Sequence, residues 1–328
     1  MKSKNIASLL RAVAGIALLG VLLAWVGIEP MRQTLTHFIP VYYAVAVALL
    51  FTHFFLQSVL IRILLERKGI QVRALHVFRL SIISQFFGVF LPGGIGPDVV
   101  LCYNMVRSTE KKEVALSAIV FIRIAILFIM SLMAFACSFH PRLARTELQI
   151  VTGGVLAAFA VYAFIMANRN SLSLARRLLE VLNRHHVTAI LYKAYFALAD
   201  YGRDRHGLLR IAPYLLGSAL CKIVTDYFIA RSLGFDIPLH YFFLFIPLIT
   251  VISAVPLTFA GLGVREGSFA GLFALVGVPA EQAIAVSLVS FTLIILVSIV
   301  GAGLYIVHGA SLVTRNETAA PDDRPAER

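Results

Sequence analysis

Two stretches, FFGVFLPGGIGPDVVLCYNMVR (86–107) and VPLTFAGLGVREGSF (255–269), interrupt long apolar runs with glycine and proline. Each contains a proline, then a Gly-x-Gly, then an acidic residue two or three positions later. Backbone that leaves the helical path inside a bilayer is tolerated only where protein or a water-filled cavity covers it. The sequence therefore predicts two broken helical segments, at 74–107 and 241–278, inside a membrane protein.

The composition excludes a soluble globular domain and a disordered chain. Of the 328 residues, 59% are hydrophobic and 14% are charged, whereas soluble domains are about 45–50% apolar and about 25% charged. A helix of about 20 apolar residues crosses the hydrocarbon core. We predict an all-α polytopic membrane protein with six full spans, the first a retained helix and not a cleaved signal peptide: 6–28, 41–65, 114–138, 148–167, 208–232 and 281–308.

The two broken segments are too short in their second arms to cross the membrane. The arm that ends at Arg107 reaches only about 16 Å at ~1.5 Å per residue, against about 30 Å of hydrocarbon. The second segment runs over 241–256, turns through Pro256 and GLG (261–263), and ends near Val278. We predict two re-entrant helical hairpins whose tips lie near the middle of the membrane.

The placement of basic residues predicts the orientation. With the N-terminus in the cytoplasm, this topology puts 22 of the 29 Lys and Arg residues in cytoplasmic segments and three in outer loops. Such an asymmetry follows the positive-inside rule. We expect a multi-pass inner-membrane protein with both termini in the cytoplasm, and the net charge of +12 indicates this orientation and not nucleic-acid binding.

The order of elements divides one transmembrane domain (1–309) into two halves of opposite orientation, 1–140 and 146–309. Each half reads span, span, hairpin, span, and the hairpins enter from opposite sides. Interrupted hydrophobic segments at corresponding places point to a transporter site near the bilayer midplane. The basic segment 168–207 fits interfacial helices on the inner leaflet or a solvated linker helix, and 310–328 is polar and predicted to be disordered.

The apolar segments offer little catalytic chemistry. Their carboxylates are Asp98, Asp226 and Glu266, and no nucleophile–base pair or phosphate-binding loop accompanies them. The three cysteines lack metal-binding or disulfide spacing. We expect a protein that is not an enzyme and that holds no cofactor or metal.

The hairpins offer anion binding instead. A short helix is predicted to begin at Pro97 and another near Val264, and a helix start presents free N–H groups and a positive dipole end. A lipid phosphate would satisfy these donors, and Arg265 would add a cation. The alternative is that Asp98 and Glu266 only cap their own helices as first-turn acids.

Further polar side chains lie within the predicted spans. Arg123 should face a cavity or a partner, because an arginine at the centre of a span is costly. Lys222 and Asp226 are one helical turn apart and can pair. Arg79 lies near the mouth of the first hairpin. His53 and Gln57 are more typical of polar contacts between helices.

At the two tips the chain resembles the lysylphosphatidylglycerol synthase transmembrane, or flippase-like, family, most specifically in the Pro…GLGxREG pattern. The resemblance covers about residues 6–308, and we expect a stand-alone membrane domain without the soluble aminoacyl-transfer domain. The first tip departs from the family in having Pro97 before its acid. Carried over to this sequence, the resemblance implies a site made of Pro92, Gly93, Gly94, Gly96, Asp98, Arg107, Pro256, Gly261, Gly263, Arg265 and Glu266.

Together these observations predict a flippase that moves an anionic or phosphate-bearing lipid between leaflets of the inner membrane. The lipid could be a phospholipid, an aminoacyl-phospholipid or a polyprenyl-linked lipid. Arg79, Arg123, Lys222 and Asp226 join the predicted lipid-binding residues. Two alternatives stay open: a membrane-embedded glycosyl- or lipid-transferase, and a non-transporting partner of a lipid-modifying enzyme.

Overall fold

The computed structural model describes residues 38–89, 96–107, 109, 111–139, 146–167, 200–202, 204–254 and 264–312. The predicted span 6–28, most of the segment 168–207 and nearly all of the tail 310–328 lie outside these residues. The described chain is helical, as predicted, and its main helices are α1 (Pro40–Glu66), α2 (Ala74–Gly88), α3 (Gly96–Arg107), α4 (Lys112–Cys137), α5 (Thr146–Ala167), α6 (Arg205–Ser232), α7 (Leu239–Ala254), α8 (Val264–Ala274) and α9 (Ala280–Leu312).

Four of the described helices are long and apolar enough to cross a membrane: α1, α4, α6 and α9. The described, apolar parts of α5 (Thr146–Val161) and α7 (Leu239–Ser253) are shorter. These four confirm four of the predicted spans to within a few residues. The α9 helix continues to Leu312, four residues beyond the predicted end at 308.

The α1 and α6 helices make the most extensive contact between two described helices, and they run antiparallel. The backbone N–H of Ile39, just before α1, donates to the carbonyl of Ser232, the last residue of α6, at 2.7 Å. A glycine with positive φ follows each helix within three residues, Gly69 at 78° and Gly234 at 76°. Glycine takes this left-handed conformation without steric cost and closes the helix end.

The α7 and α8 helices form an antiparallel hairpin. Phe242 near the start of α7 lies 5.2 Å, between ring centroids, from Phe273 near the end of α8. At ~1.5 Å per residue, the 16 residues of α7 reach about 24 Å and the 11 residues of α8 reach about 17 Å. Both lengths fall short of the ~30 Å core.

The α2 and α3 helices also pack against each other. Gly88 at the end of α2 lies so close to Pro97 that an added Cβ would come within 2.3 Å of its backbone. With 15 and 12 residues, these helices reach about 22 Å and about 18 Å. Neither is long enough to cross the ~30 Å core as a straight rod.

Each hairpin packs its first helix against a span of the other half of the chain. The α2 helix lies on α9, and α7 lies on α4. At the first of these contacts Gly301 meets the carbonyl oxygen of Ile82, where an added Cβ would come within 2.3 Å. Small residues at such crossings let helix backbones approach closely in membrane proteins.

Several ionic contacts lie at the end of the molecule where α1 ends and α6 begins. Arg67 pairs with Asp204, and Lys68 pairs with Asp200 at 3.2 Å. Lys111, between α3 and α4, donates to the backbone carbonyl of Lys68 at 3.0 Å. The predicted cytoplasmic connections of the described part of the chain thus share one end of the helix bundle.

Candidate functional site

A polar cavity of about 150 Å³ lies among seven of the described helices, with room for about five water molecules. His53 and Arg123 lie near the middles of α1 and α4, which places the cavity near the mid-depth of the bundle. The polar side chains that line it are His53, Gln57, Gln85, Asp98, Arg123, Lys222, Thr225, Asp226, Arg265 and Ser290.

Asp226 is the most buried charge of this polar cavity, with 1% of its side chain exposed. Its Oδ2 accepts a hydrogen bond from Lys222 Nζ at 2.7 Å, and its Oδ1 accepts one from Ser290 Oγ at 2.7 Å. Arg265 Nη2 lies 3.8 Å from Oδ1. The carboxylate therefore joins α6, α8 and α9, and the predicted pairing of Lys222 with Asp226 is confirmed.

Asp98 and Arg123 form a looser ion pair on the other side of the cavity. Arg123 Nε lies 3.3 Å from Asp98 Oδ2, yet neither atom has a hydrogen bond of acceptable geometry. About 30% of each side chain is exposed. This pair ties the start of α3 to the middle of α4 and leaves hydrogen-bonding capacity toward the cavity.

The two short helices α3 and α8 begin at the same cavity. Pro97 and Asp98 in the first turn of α3 line it, and so does Arg265 in the first turn of α8. The predicted helix starts at Pro97 and near Val264 are confirmed to within one residue. Helix N-termini carry a partial positive charge and favour anions.

The charged residues that line the cavity leave a positive balance. Three cations face two carboxylates in the lining. Desolvated charges at mid-membrane depth are costly unless they are paired. The lining has one more cation than it has carboxylates. An anionic group entering the cavity would complete the balance.

His53 connects two helices, as predicted, and both His53 and Gln57 line the cavity. His53 Nδ1 lies 2.8 Å from the carbonyl oxygen of Ser218 on α6, and Gln57 Nε2 lies 3.0 Å from His53 Nε2. His53 is buried. These contacts give α1 and α6 a polar connection at the same depth as the charges.

The remaining predicted site residues fall in three groups. Glu266 is a first-turn acid of α8 and accepts a hydrogen bond from Ser287 at 3.2 Å, but it does not line the cavity. Arg79 on α2 and Arg107 at the end of α3 also lie outside the lining, and Arg107 donates to Tyr103 Oη at 2.9 Å. Gly96 is buried at the start of α3, and the others lie outside the described residues: Pro92, Gly93, Gly94, Pro256, Gly261 and Gly263.

The cavity includes three polar residues that the sequence analysis missed: Gln85, Thr225 and Ser290. Each is an uncharged polar residue inside an apolar run, which is a weak signal because such residues also make ordinary helix contacts. Among the described residues, no group of three or more His, Cys, Asp or Glu side chains is arranged to hold a metal ion.

Residues 12–302 match the family described as the lysylphosphatidylglycerol synthase TM region. Comparisons with curated proteins and with solved structures gave no significant match. The match includes α1 to α8 and most of α9, and so it covers every helix that lines the polar cavity. The chain therefore belongs to the lysylphosphatidylglycerol synthase transmembrane-region family.

Proposed function

We propose that this protein binds an anionic, phosphate-bearing lipid at the polar cavity and moves it between the leaflets of the inner membrane. The observation that carries the proposal is the convergence of Arg123, Lys222 and Arg265 on one cavity near mid-depth. Cations at that depth are expensive, and a lipid phosphate is the anion that a bilayer supplies. The head group would pass through the cavity while the acyl chains stay in lipid.

The geometry of the two hairpins supports passage of the lipid head group through the polar cavity. Both α2–α3 and α7–α8 are built from helices shorter than the hydrocarbon core, so we propose that they are re-entrant. The first turns of α3 and α8 meet at the cavity. In transporters, broken helices direct their positive N-terminal ends at anionic substrate groups near the midplane.

The helix pairing supports two related halves of opposite orientation, 1–140 and 146–309. If α1 to α4 correspond to α6 to α9, then α2 on α9 corresponds to α7 on α4, and both contacts are present. The corresponding helices α1 and α6 run antiparallel, as inverted halves require. Two such halves can expose one central site alternately to either face.

The charge distribution supports an inner-membrane location with cytoplasmic termini. Arg67, Lys68 and Lys111 lie together at one end of the bundle. Positive residues accumulate in cytoplasmic connections. In this orientation α2–α3 enters from the cytoplasm and α7–α8 enters from outside.

We propose transport without chemical conversion of the lipid. A general acid or base must exchange protons with its substrate, whereas each of the two carboxylates that line the cavity lies within 4 Å of a cation. Asp226 is bonded to Lys222 and Ser290, and Asp98 lies beside Arg123. This arrangement suits the binding of a charge better than proton transfer.

The proposal is tested by reconstituting the protein into liposomes with a trace of phosphatidylglycerol that carries a fluorophore on one acyl chain. A membrane-impermeant reductant bleaches only the outer leaflet, so translocation makes the protected half of the signal accessible. We expect Arg265→Ala and Arg123→Ala to slow translocation by about tenfold or more, since a charged hydrogen bond contributes about 1.5–3 kcal/mol.

The matched control is Arg62→Ala, which removes an exposed arginine that pairs with Glu66 in the last turns of α1. Its rate should equal that of the unmodified protein. Signal loss no greater than in empty liposomes would refute translocation of this lipid. Unchanged rates in both cavity variants would refute the site.

A further inference from the structure

The two carboxylates that line the polar cavity are held differently. Asp226 accepts hydrogen bonds from Lys222 and Ser290, both at 2.7 Å, and 1% of its side chain is exposed. Asp98 Oδ2 lies 3.3 Å from Arg123 Nε, and both atoms are buried, yet neither makes a hydrogen bond with any residue that the structure describes. Asp226 is therefore a fixed part of the cavity wall, whereas Asp98 Oδ2 is held to Arg123 Nε by charge without a hydrogen bond.

An ion pair of this kind is one that an incoming anion can replace. Hydrogen bonds between charged groups are about twice as strong as neutral ones, and the contact of Arg123 Nε with Asp98 Oδ2 lacks one. A guanidinium presents several N–H donors in a planar fork that matches the oxygens of a phosphate. A phosphate that approaches Arg123 can therefore make hydrogen bonds that this contact does not make.

Replacement of Asp98 by a phosphate leaves the charges of the cavity balanced. The lining contains three cations and two carboxylates, so one singly charged phosphate makes the positive and negative charges equal in number. Asp98 also lies in the first turn of α3, where the partial positive charge of a helix start stabilises an acid. The carboxylate that leaves Arg123 thus keeps a favourable interaction with its own helix.

Asp98 connects the charge of Arg123 to the first hairpin. The preceding residue, Pro97, packs so closely on Gly88 at the end of α2 that a Cβ added to Gly88 would come within 2.3 Å of the Pro97 backbone. A displacement at the start of α3 is therefore passed on to α2. The corresponding acid of the second hairpin, Glu266, is also the third residue of its helix, and it accepts a hydrogen bond from Ser287 on the following span, α9. In each hairpin a first-turn acid contacts the span that follows, and in the first hairpin that contact is with a cation of the cavity.

We infer that Asp98 occupies Arg123 until a lipid phosphate replaces it, and that this exchange releases the first hairpin from α4. The inference rests on the proposed function and concerns how binding at the same site is coupled to movement. Asp98 is a positioning residue, because it competes with the phosphate for Arg123 and holds the start of α3 against the middle of α4. Binding of the lipid and release of the hairpin are thus one event.

The competition is tested by lipid binding in detergent, which does not depend on transport. Phosphatidic acid is titrated onto the purified protein, and the bound fraction is counted by native mass spectrometry. Asp98→Asn keeps the side-chain size and removes the competing charge. We expect it to bind phosphatidic acid about tenfold more tightly, an effect between the small one of exposed ion pairs and the large one of fully buried pairs.

Two further variants show whether the negative charge at position 98 is responsible. Asp98→Glu keeps that charge and should bind phosphatidic acid as the unmodified protein does. Asp236→Asn removes an exposed carboxylate that pairs with Arg231 outside the cavity, and it should leave the affinity unchanged. Tighter binding by all three variants would show that the gain does not come from the competing charge, and would overturn the inference.

A double-mutant cycle separates exchange on Arg123 from general repulsion of an anion by Asp98. If Asp98 competes for Arg123, Asp98→Asn should change the affinity by about twofold or less in the Arg123→Ala background, because independent sites are additive to within that limit. If Asp98 acts by repulsion alone, the same gain of about tenfold should occur in both backgrounds. Equal gains would overturn the inference.

Release of the hairpin is measured by double electron–electron resonance between spin labels, in a protein without its native cysteines. Tyr103→Cys labels α3 and Leu132→Cys labels α4, both at exposed positions. We expect phosphatidic acid and the Asp98→Asn change to shift the distance between these labels in the same direction. The control pair is Leu132→Cys with Leu216→Cys on α6, also exposed, and its distance should stay constant. An unchanged distance between positions 103 and 132 would overturn the release.

The liposome assay gives a result that a merely structural role of Asp98 would not produce. We expect Asp98→Asn to bind phosphatidic acid more tightly and yet to translocate the labelled lipid more slowly, because Asp98 no longer displaces the phosphate from Arg123. A loss of stability would weaken both binding and translocation, and that outcome would overturn the inference. If the binding and distance results hold but the unmodified protein does not translocate the lipid, the exchange is upheld and the proposed transport is refuted.

Discussion

Asp226 holds three helices together around the polar cavity, and its surroundings explain why a carboxylate is tolerated there. Lys222 and Ser290 bond to its two oxygens, and Arg265 approaches from the start of α8. A buried charge is stable in a protein only when it is paired and hydrogen-bonded. Removing one partner of such a group leaves the other charges uncompensated.

We expect Asp226→Asn to destabilise the protein by about 3 kcal/mol, because two cations would lose their buried counter-charge. The measurement is thermal unfolding of the purified protein in detergent. Asp236→Asn is the matched control, since Asp236 also pairs with an arginine, Arg231, but 93% of its side chain is exposed. It should cost about 1 kcal/mol or less. Equal losses would contradict the assigned role of Asp226.

At the residue scale the sequence predicted local partners and missed distant ones. The pairing of Lys222 with Asp226 follows from their separation of four residues on one helix. The contacts of Asp226 with Arg265 and Ser290 join separate helices, and no local spacing encodes them. Arg123 was predicted to need a partner because of its depth, but the identity of that partner, Asp98, came only from the fold.

At the scale of helices, close packing between α2 and α9 depends on one glycine. Gly301 lies against the carbonyl oxygen of Ile82. One turn earlier, Ser298 Oγ donates to the carbonyl of Ile294 at 2.8 Å and lies 3.4 Å from the carbonyl oxygen of Gln85 on α2. The first hairpin is thus fixed to the last span beside the residue that also lines the cavity. A larger side chain at position 301 would move the two helices apart.

We expect Gly301→Ala to destabilise the protein by about 1–3 kcal/mol, the usual effect of overpacking. It should also slow lipid translocation, since α2 carries Gln85. Gly303→Ala lies on the same helix, where an added Cβ would have nothing within 4 Å, and should be neutral or slightly stabilising. Thermal unfolding and the liposome assay measure both effects. Equal behaviour of the two variants would contradict the close α2–α9 contact.

Helix bounds were largely predictable, because apolar length and proline or glycine breaks decide them. The predicted span 41–65 is observed at Pro40–Glu66. The α2 helix ends at Gly88, before the predicted break at LPGGIGP (91–97), and α3 begins at Gly96. The partners of each helix were not predictable. Apolar helices in lipid gain little from choosing one apolar neighbour over another, and small residues such as Gly301 decide the choice.

At the scale of the whole molecule, the proposed passage of a lipid head group requires two hairpins that enter from opposite faces. The sequence predicted this arrangement from matched Gly-x-Gly tips and from the distribution of Lys and Arg. The structure supports it through the antiparallel α1–α6 pair and the corresponding contacts of α2 and α7. The sequence predicted a site near the midplane but not its full lining, because the lining comes from seven helices that pack across both halves.

Cysteine accessibility tests the arrangement of the hairpins most directly. After replacement of Cys102, Cys137 and Cys221, single cysteines are introduced by Leu239→Cys and Leu275→Cys at the ends of α7–α8, both at exposed positions. Arg73→Cys and Lys112→Cys are the corresponding changes beside α2–α3. Ser253→Cys marks the inner end of α7. Intact cells and permeabilised cells are treated with a membrane-impermeant maleimide.

We predict that the cysteines at positions 239 and 275 react in intact cells, and that those at 73 and 112 react only after permeabilisation. The cysteine at 253 should not react from the cytoplasm as fast as the one at 73, because a re-entrant α7–α8 hairpin, as proposed, ends α7 inside the membrane. Labelling of both hairpins from one side, or rapid cytoplasmic labelling at 253, would contradict two re-entrant hairpins that meet at a central cavity.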